Sequence, residues 1–258
     1  MPVYNQIGKT YNTTRKADSR ITQMILQQLT LEPSATILDI GAGTGNYSYE
    51  LADEGYRVIA LEPSEIMRTQ GKQHVNLTWK EGAAEQIPLE DAAYVDGIIC
   101  TLASHHFHDL SVSFQEMRRV LKEDGKIVIF TLDPRLCEEE CWLFDYFGPV
   151  LDGAYRIHPP VKELSQLLEK QIERPVTMVP FPLPYDLTDQ FFFTGWRTPE
   201  LYLDRDFQRG TSPLAKGEEV NQCLEHLQRD LENGYWHEKY QQVIHLNEYD
   251  CGHFFLVV

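Results

Sequence analysis

Between residues 37 and 47 the chain reads Ile37-Leu38-Asp39-Ile40-Gly41-Ala42-Gly43-Thr44-Gly45-Asn46-Tyr47. A short apolar run is followed by glycines at alternate positions and then by a pattern that suits the start of a helix. Glycine adopts positive φ angles readily and lets a ligand approach the backbone. The free N–H groups of a helix N-terminus point toward such a ligand. The stretch therefore predicts a strand, a tight turn and a helix that hold a small polar ligand at the end of the strand.

The spacing of these glycines narrows the kind of ligand. A dinucleotide fingerprint has the pattern G-x-G-x-x-G, whereas this chain has G-x-G-x-G and carries Asn46 where the third glycine would stand. A P-loop would end in Gly-Lys-Ser/Thr, which is missing from this stretch. Because tight turns also need glycine for purely structural reasons, the turn alone is a weak indication.

An acidic residue at the end of the second predicted strand strengthens the interpretation. The apolar run from Tyr56 to Leu61 is followed by Glu62-Pro63-Ser64. A carboxylate at this place in a βαβ unit accepts hydrogen bonds from ribose hydroxyls, and Ser64 suits the N-cap of the next helix. Alone, Glu62 could equally be a solvated loop carboxylate, but together with the glycine turn it favours a ribose contact.

The chain continues as alternating strands and helices up to Asp133-Pro134, where this simple alternation ends. Apolar runs predict further strands over residues 75–80, 94–102, 127–131, 176–181 and 251–258. Helical spacing predicts helices over residues 109–122, 141–150 and 161–170.

From about Ala35 to Asp133 the chain resembles the class I S-adenosylmethionine-dependent methyltransferases, of the small-molecule group often called type 11. The segments that carry the resemblance are residues 37–45 (first motif), Glu62 (acidic second motif), residues 82–88 (adenine loop), and residues 105–107 and 118–126 (around the fourth and fifth strands). The resemblance implies an α/β fold with a Rossmann-like, seven-stranded, mostly parallel sheet. Helices would cover both faces, and a helical and aromatic cap would be inserted around the sixth strand.

The resemblance also implies S-adenosyl-L-methionine as the cofactor and a role for individual residues. The implied cofactor-binding residues are Tyr11, Arg15, Asp39, Gly41, Gly43, Gly45, Glu62, Pro63, Ala84, Glu85 and Thr101. The glycines would cradle the methionine part above Asp39, Glu62 would hold the ribose, and Thr101 would lie near the sulfonium. Ala83 stands where many relatives have an aspartate that bonds the adenine amine, so Glu85 or the backbone would have to make that contact.

Two other segments are predicted to complete the site. Near the N-terminus, Tyr11 would close the mouth of the site and Arg15 would form a bidentate pair with the cofactor carboxylate; the alternative is a polar surface helix with Arg15 in water. His105 is the candidate catalytic residue, because it follows the fourth strand and an imidazole can take a proton from a hydroxyl or an amine. The alternative is that His105 caps a helix or packs. We expect His106 to point elsewhere, since adjacent side chains diverge.

We predict one domain over residues 1–258, made of several functional parts. These are an N-terminal lid (1–30), a cofactor-binding core (31–133), two cap insertions (134–173 and 182–240) and the final strands of the sheet (174–181 and 241–258). The cap would lie over the carboxyl ends of the parallel strands, where open α/β sheets bind ligands. Most of its aromatic residues are expected to pack on the sheet and a few, from Phe191 to Trp196, to line the acceptor side.

The amino-acid composition of the chain limits the classes of partner that it can bind. The formal net charge of −16 and the lack of a basic run argue against nucleic acid and against an anionic membrane. The sequence shows neither an apolar run long enough to span a bilayer nor a signal peptide, which predicts a cytoplasmic protein. The five cysteines follow no zinc or disulfide spacing, so no metal is predicted. Cys137 and Cys141 are four residues apart on a predicted helix and could share one of its faces, but without a nearby pair of histidines they are interpreted as ordinary thiols.

The sequence therefore predicts a methyltransferase that moves a methyl group to an O or N atom of a small molecule by in-line displacement, which requires alignment and the exclusion of water. One alternative is a catalytically silent cofactor-binding sensor or partner subunit. A weaker one is a nicotinamide-dependent oxidoreductase, which the glycine spacing disfavours. Metalloid-directed methylation would need a cysteine cluster that the sequence does not show. The acceptor and the oligomeric state stay open.

Overall fold

A computed structural model describes residues 14–90, 92, 94–137, 141–214 and 217–258 of the chain. Its strands are β1 (Thr36–Ile40), β2 (Arg57–Leu61), β3 (Leu77–Lys80), β4 (Val95–Thr101), β5 (Leu121–Cys137), β6 (Thr177–Pro180), β7 (Leu183–Pro184), β8 (Glu248–Tyr249) and β9 (Cys251–Val257). Its α-helices are α1 (Ser19–Leu29), α2 (Asn46–Asp53), α3 (Glu65–Thr69), α4 (Leu110–Val120), α5 (Trp142–Ile157), α6 (Val161–Ile172), α7 (Arg205–Gly210), α8 (Glu218–Glu232) and α9 (Tyr235–Tyr240).

Seven of the strands form one sheet in the order β3-β2-β1-β4-β5-β9-β6. The pairs from β3 through β5 are parallel, whereas β9 runs antiparallel to both of its neighbours. This arrangement confirms the predicted Rossmann-like, mostly parallel sheet. It also places the carboxyl ends of β1, β2 and β4 side by side, so that the loops following these strands meet at one edge of the sheet.

The sheet is buried on both faces, and its side chains alternate between two apolar clusters. Ile37 belongs to the cluster that includes α1, α2 and the cap, while Leu38 and Ile40, which point the opposite way along β1, belong to the cluster on the other face. Successive side chains of a strand point to opposite faces, so an uninterrupted apolar run is what a strand covered on both sides requires. The second cluster is completed by apolar residues of α4 and α6.

Two helices that follow loops at this edge of the sheet have capping residues at their first turns. Ser64 caps α3 and accepts a hydrogen bond from the backbone N–H of Met67 at 3.4 Å, as the sequence predicted. Asp109 caps α4 and accepts from the N–H of Val112 at 3.0 Å. A side-chain oxygen at this position satisfies a backbone donor that has no partner within the helix, so both helices begin at defined positions beside the cavity.

The cysteine prediction was wrong, because β5 continues beyond its predicted end at residue 131. Cys137 is the last residue of β5 and pairs in register with Cys251 of β9, and Cys141 is the N-cap of α5. The three thiols influence one another's pKa values: Cys137 lowers the pKa of Cys141, and burial together with the other two thiols raises the pKa of Cys251. The cluster joins the end of β5, the beginning of the cap and the first residue of β9.

The cap is an aromatic layer over one face of the sheet. Trp142, Trp196, Tyr202 and Trp236 are almost completely buried, and the Trp142 indole lies in edge-to-face contact with two of these rings. The short β7–β8 pair, which the sequence did not predict, borders this layer. Within the described part of the chain, none of the helices combines the length and the apolar character needed to cross a membrane.

Candidate functional site

Two adjoining cavities open at the carboxyl ends of the strands. The first, the glycine-turn cavity, encloses about 440 Å³ and is bordered by the turn after β1, by Glu62-Pro63 and by residues 82–85. The second, the histidine cavity, encloses about 410 Å³ and lies between α5, residues 191–193 and residues 210–213. Both cavities are lined by Arg15, Leu102 and His106, so these side chains form a shared wall.

The glycine turn has a backbone that only glycine adopts without strain. Gly41, Gly43 and Gly45 have φ angles of +72°, +59° and +71°, in the left-handed region that other residues rarely enter. A Cβ on Gly41 would lie 2.5 Å from the Cβ of Ala103, whereas a Cβ on Gly43 would meet only the Met67 Cε, at 3.5 Å. Gly41 therefore allows close packing, and Gly43 leaves space on the cavity side of the turn.

Asp39 lies at the end of β1, beneath the turn. Its side chain is 2% exposed, and the Ser48 hydroxyl donates a hydrogen bond to it at 2.5 Å. Burial raises the pKa of Asp39 to about 7, and the nearby negative charge of Glu62 acts in the same direction. The carboxyl group is held rigidly at the base of the cavity.

Glu62 follows β2 and connects the turn to the next loop. Its two carboxylate oxygens accept hydrogen bonds from the backbone N–H groups of Gly43, at 3.0 Å, and Ser64, at 2.9 Å. Burial raises the pKa of Glu62, and these two hydrogen bonds oppose the effect. Each carboxylate oxygen has two acceptor sites, so the group retains capacity for two hydroxyls on its cavity side.

The remaining predicted residues of the core also line the glycine-turn cavity, whereas Gly45 is not part of its lining. Glu85 accepts hydrogen bonds from the backbone N–H groups of His108, at 2.6 Å, and Asp109, at 3.2 Å, which fixes the loop against the start of α4. Ala84 is buried beside it. The Thr101 hydroxyl oxygen is buried and makes no hydrogen bond within the described residues, as expected of a group that meets a ligand.

Arg15 lies in the shared wall rather than in water, so the surface alternative for this residue was wrong. Its Nε and Nη2 atoms donate to the two carboxylate oxygens of Asp189, at 2.5 and 3.3 Å. The Tyr47 hydroxyl also donates to Asp189, at 3.0 Å. Asp189, which the sequence did not single out, thus fixes the guanidinium at the rim. Tyr11 lies outside the described residues.

The histidines gather in the second cavity. His105 lines only the histidine cavity, and His106 lines both. The His105 ring lies 3.9 Å from the His106 ring and 4.1 Å from the His158 ring, between centroids. Our expectation that the two neighbouring side chains diverge was wrong, because both residues lie in the same 3₁₀ turn and their rings are in contact. His253, in β9, completes the group.

Burial keeps these four imidazoles neutral. It lowers the pKa of His106 and of His158 to about 4 and that of His253 to about 3, and it holds the pKa of His105 well below its usual range. Neighbouring imidazoles act in the same direction for three of them. A neutral imidazole has one ring nitrogen that can accept a proton.

The two cavities differ in charge. Among the described residues, the glycine-turn cavity is lined by the carboxyl groups of Asp39, Glu62, Glu85 and Asp189, and Arg15 is the one arginine or lysine of this lining. No carboxylate belongs to the described lining of the histidine cavity, whose polar groups are imidazoles, hydroxyls and the same arginine. The first cavity therefore suits a ligand with positive charge, and the second suits a largely apolar ligand with neutral polar groups.

Comparison with known proteins identifies a consistent set of relatives. The family described as "Methyltransferase domain" matches residues 38–129. The uncharacterized methyltransferase YcgJ of Bacillus subtilis (strain 168) is 32% identical over 201 residues, covering 74% of this chain and 71% of that protein. Matches to two other curated methyltransferases cover 48% and 51% of those proteins.

Solved structures extend the comparison to the cap. A protein of Anabaena variabilis ATCC 29413, assigned as a methyltransferase from an antibiotic biosynthesis pathway, has a TM-score of 0.90 and 44% identity, covering 95% of this chain and 98% of that one. Phosphoethanolamine N-methyltransferase 2 of Haemonchus contortus, in complex with S-adenosyl-L-methionine, has a TM-score of 0.60 and 15% identity over 96% of this chain and 55% of that one. The second likeness is one of fold alone.

Proposed function

Because this chain belongs to the class I S-adenosylmethionine-dependent methyltransferases, we propose that its glycine-turn cavity binds S-adenosyl-L-methionine. The methyl group is transferred in line to an O or N atom of a small molecule held in the histidine cavity. The observation that carries this proposal is the pairing of the glycine turn with Glu62, whose carboxylate bonds the Gly43 N–H.

The charge of the first cavity favours this cofactor over a dinucleotide. S-adenosylmethionine carries a sulfonium and an ammonium group, and both are attracted to a cavity lined by four carboxyl groups and one guanidinium. The pyrophosphate of NAD carries two negative charges, which the same carboxylates would repel. The lack of a glycine at position 46 agrees with this preference.

The residues of the cavity have complementary tasks. Gly43 leaves room for the amino-acid part of the cofactor, and Glu62 accepts hydrogen bonds from the ribose hydroxyls. Ala84 and Glu85 border the adenine. Arg15, oriented by Asp189, contacts the cofactor carboxylate, and the buried Thr101 hydroxyl lies toward the reacting centre. When bound, the cofactor supplies an activated methyl group, and the protein aligns the acceptor and excludes water.

The histidine cavity supports a small acceptor. It adjoins the first cavity through the wall of Arg15, Leu102 and His106, and the cap closes over it with residues 191–193. A cavity of about 410 Å³ is in the range of small-molecule pockets. The related Anabaena protein is assigned to an antibiotic biosynthesis pathway, and this assignment favours a small-molecule acceptor for this chain.

Calorimetry tests the cofactor, and labelled transfer tests the reaction. We expect S-adenosylmethionine and its demethylated product, S-adenosylhomocysteine, to bind and NAD to give no heat. Incubation with methyl-labelled cofactor and a small-molecule mixture should transfer label to an acceptor. Binding of NAD but of neither sulfur ligand would overturn the proposal. Cofactor binding with no transfer to any acceptor would favour the silent sensor.

A further inference from the structure

We propose that the acceptor is an uncharged, flat aromatic molecule that carries a hydroxyl group, and that the methyl group goes to the hydroxyl oxygen while His106 takes the proton. This inference rests on the proposed function and specifies the substrate class of the same site. It is carried by the unpartnered polar atoms of the histidine cavity, by its aromatic walls and by its charge.

The unpartnered polar atoms come from four residues that meet in this one cavity. Within the described residues, His105 Nδ1, His158 Nδ1, Thr211 Oγ1 and the ring nitrogens of His253 are buried and make no hydrogen bond. All four residues line the histidine cavity. Buried polar atoms are nearly always hydrogen-bonded, since an unmet partner is costly. A ligand hydroxyl, which donates one hydrogen bond and accepts up to two, can pair with part of this set of imidazole and hydroxyl atoms.

The walls of the cavity are apolar and aromatic on one side. Phe191, Phe192 and Phe193 form one side, and Leu132 and Leu151 contribute to the others. The His253 ring lies 5.2 Å from the Phe191 ring and 5.7 Å from the Phe193 ring, between centroids. Rings at such separations form a surface on which a further aromatic ring can stack or pack edge-on. A flat aromatic acceptor matches both the walls and the few polar groups between them.

The charge of the cavity excludes an ammonium acceptor. The described lining contains no carboxylate, and its cationic group, Arg15, is already paired with Asp189. A buried charge without a partner of opposite sign is strongly disfavoured. A carboxylate acceptor is also disfavoured, because the four imidazoles are neutral and Arg15, the one arginine of the described lining, is already shared between Asp189 and the proposed cofactor carboxylate. An uncharged hydroxyl group carries no such penalty.

His106 is the proton acceptor because it is the histidine that belongs to both cavities. A lone pair of the acceptor oxygen forms the bond to the methyl carbon, the carbon–sulfur bond breaks with its electron pair on sulfur, and the O–H proton passes to the His106 imidazole. The oxygen becomes strongly acidic as the new bond forms. An imidazole of low basicity therefore suffices, and it returns the proton to water after product release.

Probes of matched size test the substrate class on protein saturated with S-adenosylhomocysteine. We expect 1-naphthol to bind, and 1-naphthylmethylamine (a cation at pH 7.5) and 1-naphthoate to bind at least about tenfold more weakly, as measured by calorimetry. With S-adenosylmethionine, mass spectrometry should detect the methoxy product from at least one of 1-naphthol, 2-naphthol and catechol.

Variants separate binding from proton transfer. His106→Gln should lower kcat on the hydroxylated probe by roughly 10²- to 10⁴-fold while changing the dissociation constant of 1-naphthol only about threefold or less. His237→Gln, in a half-exposed histidine of α9, is the matched control and should change neither.

Each outcome is decisive. If S-adenosylhomocysteine binds but the cationic probe binds as well as 1-naphthol, or no methoxy product forms from the three probes, the inference is overturned and the proposed function stands. An unchanged kcat in His106→Gln would remove His106 from the proton transfer. If S-adenosylhomocysteine itself does not bind, the proposed function fails.

Discussion

Replacement of Glu62 by glutamine changes the site with little change in shape. The two carboxylate oxygens accept from the N–H groups of Gly43 and Ser64. A glutamine amide offers one oxygen and one NH₂ group. In either orientation, therefore, one backbone N–H faces another donor. The variant also loses the negative charge that would strengthen the hydrogen bonds from the ribose hydroxyls.

The expected magnitude follows from these contacts. A hydrogen bond to a charged group contributes about 1.5–3 kcal/mol, so losing one such bond to the cofactor lowers affinity roughly 10- to 150-fold. The free energy of unfolding should change by less than this loss of binding free energy. The unpaired backbone donor costs about 1–3 kcal/mol, but removing a buried carboxylate whose pKa is raised by burial offsets part of this cost.

Calorimetric titration with S-adenosylhomocysteine, together with urea unfolding, measures both quantities. Glu81→Gln is the matched control, because the Glu81 side chain is 75% exposed and pairs with Arg68, which in turn donates to the backbone oxygen of Glu62. The control should keep its affinity within about twofold. If Glu62→Gln binds S-adenosylhomocysteine as tightly as this control, Glu62 does not hold the ribose.

Three further predictions concern the same cavity. Gly43→Ala should lower the affinity for S-adenosylhomocysteine at least about tenfold. The control Gly55→Ala, whose added methyl group meets nothing within 4 Å, should carry a comparable backbone strain of about 1–2 kcal/mol and bind the ligand normally. Equal affinities of the two variants in calorimetry would contradict the role of Gly43 in holding the cofactor. Asp39, whose pKa is raised to about 7, binds its proton more tightly in the folded than in the unfolded chain. Its contribution to the free energy of unfolding should therefore fall by about 1.4 kcal/mol per pH unit between roughly pH 4 and pH 7. Urea unfolding of Asp39→Asn should lack this decrease, and parallel pH profiles for the variant and the unchanged protein would argue against the raised pKa. Arg15→Met leaves the Asp189 carboxylate buried without its partner and should lower the free energy of unfolding by about 3–5 kcal/mol. A second change, Asp189→Leu, should restore most of this loss. If Arg15→Met alone unfolds like the unchanged protein, the pair contributes little to stability.

The sheet and the first cavity could be predicted because their information is local. The glycine turn and Glu62 follow directly after β1 and β2, and parallel strands bring their carboxyl ends together. Burial on both faces makes the strands continuous apolar runs. Residues that are close in the chain, or that sit at equivalent strand ends, therefore become close in space with no further information.

The second cavity depends on contacts between distant parts of the chain. His158 ends α5, and His253 reaches the cavity because β9 pairs antiparallel with β5, which places it opposite Leu132. Asp189 meets Arg15 across 174 residues of sequence. No spacing pattern in the sequence predicts such contacts, because they follow from how the cap packs on the sheet. The cysteine cluster was missed for the same reason.

The shared wall between the two cavities has a thermodynamic consequence. Arg15, Leu102 and His106 face both ligands, so any shift that one ligand imposes on these side chains alters the affinity for the other. Linkage requires that the effect be equal in both directions. A bisubstrate molecule that joins an adenosyl group to an aromatic ring across this wall would occupy both cavities at once, and the tether would raise the local concentration of its second half.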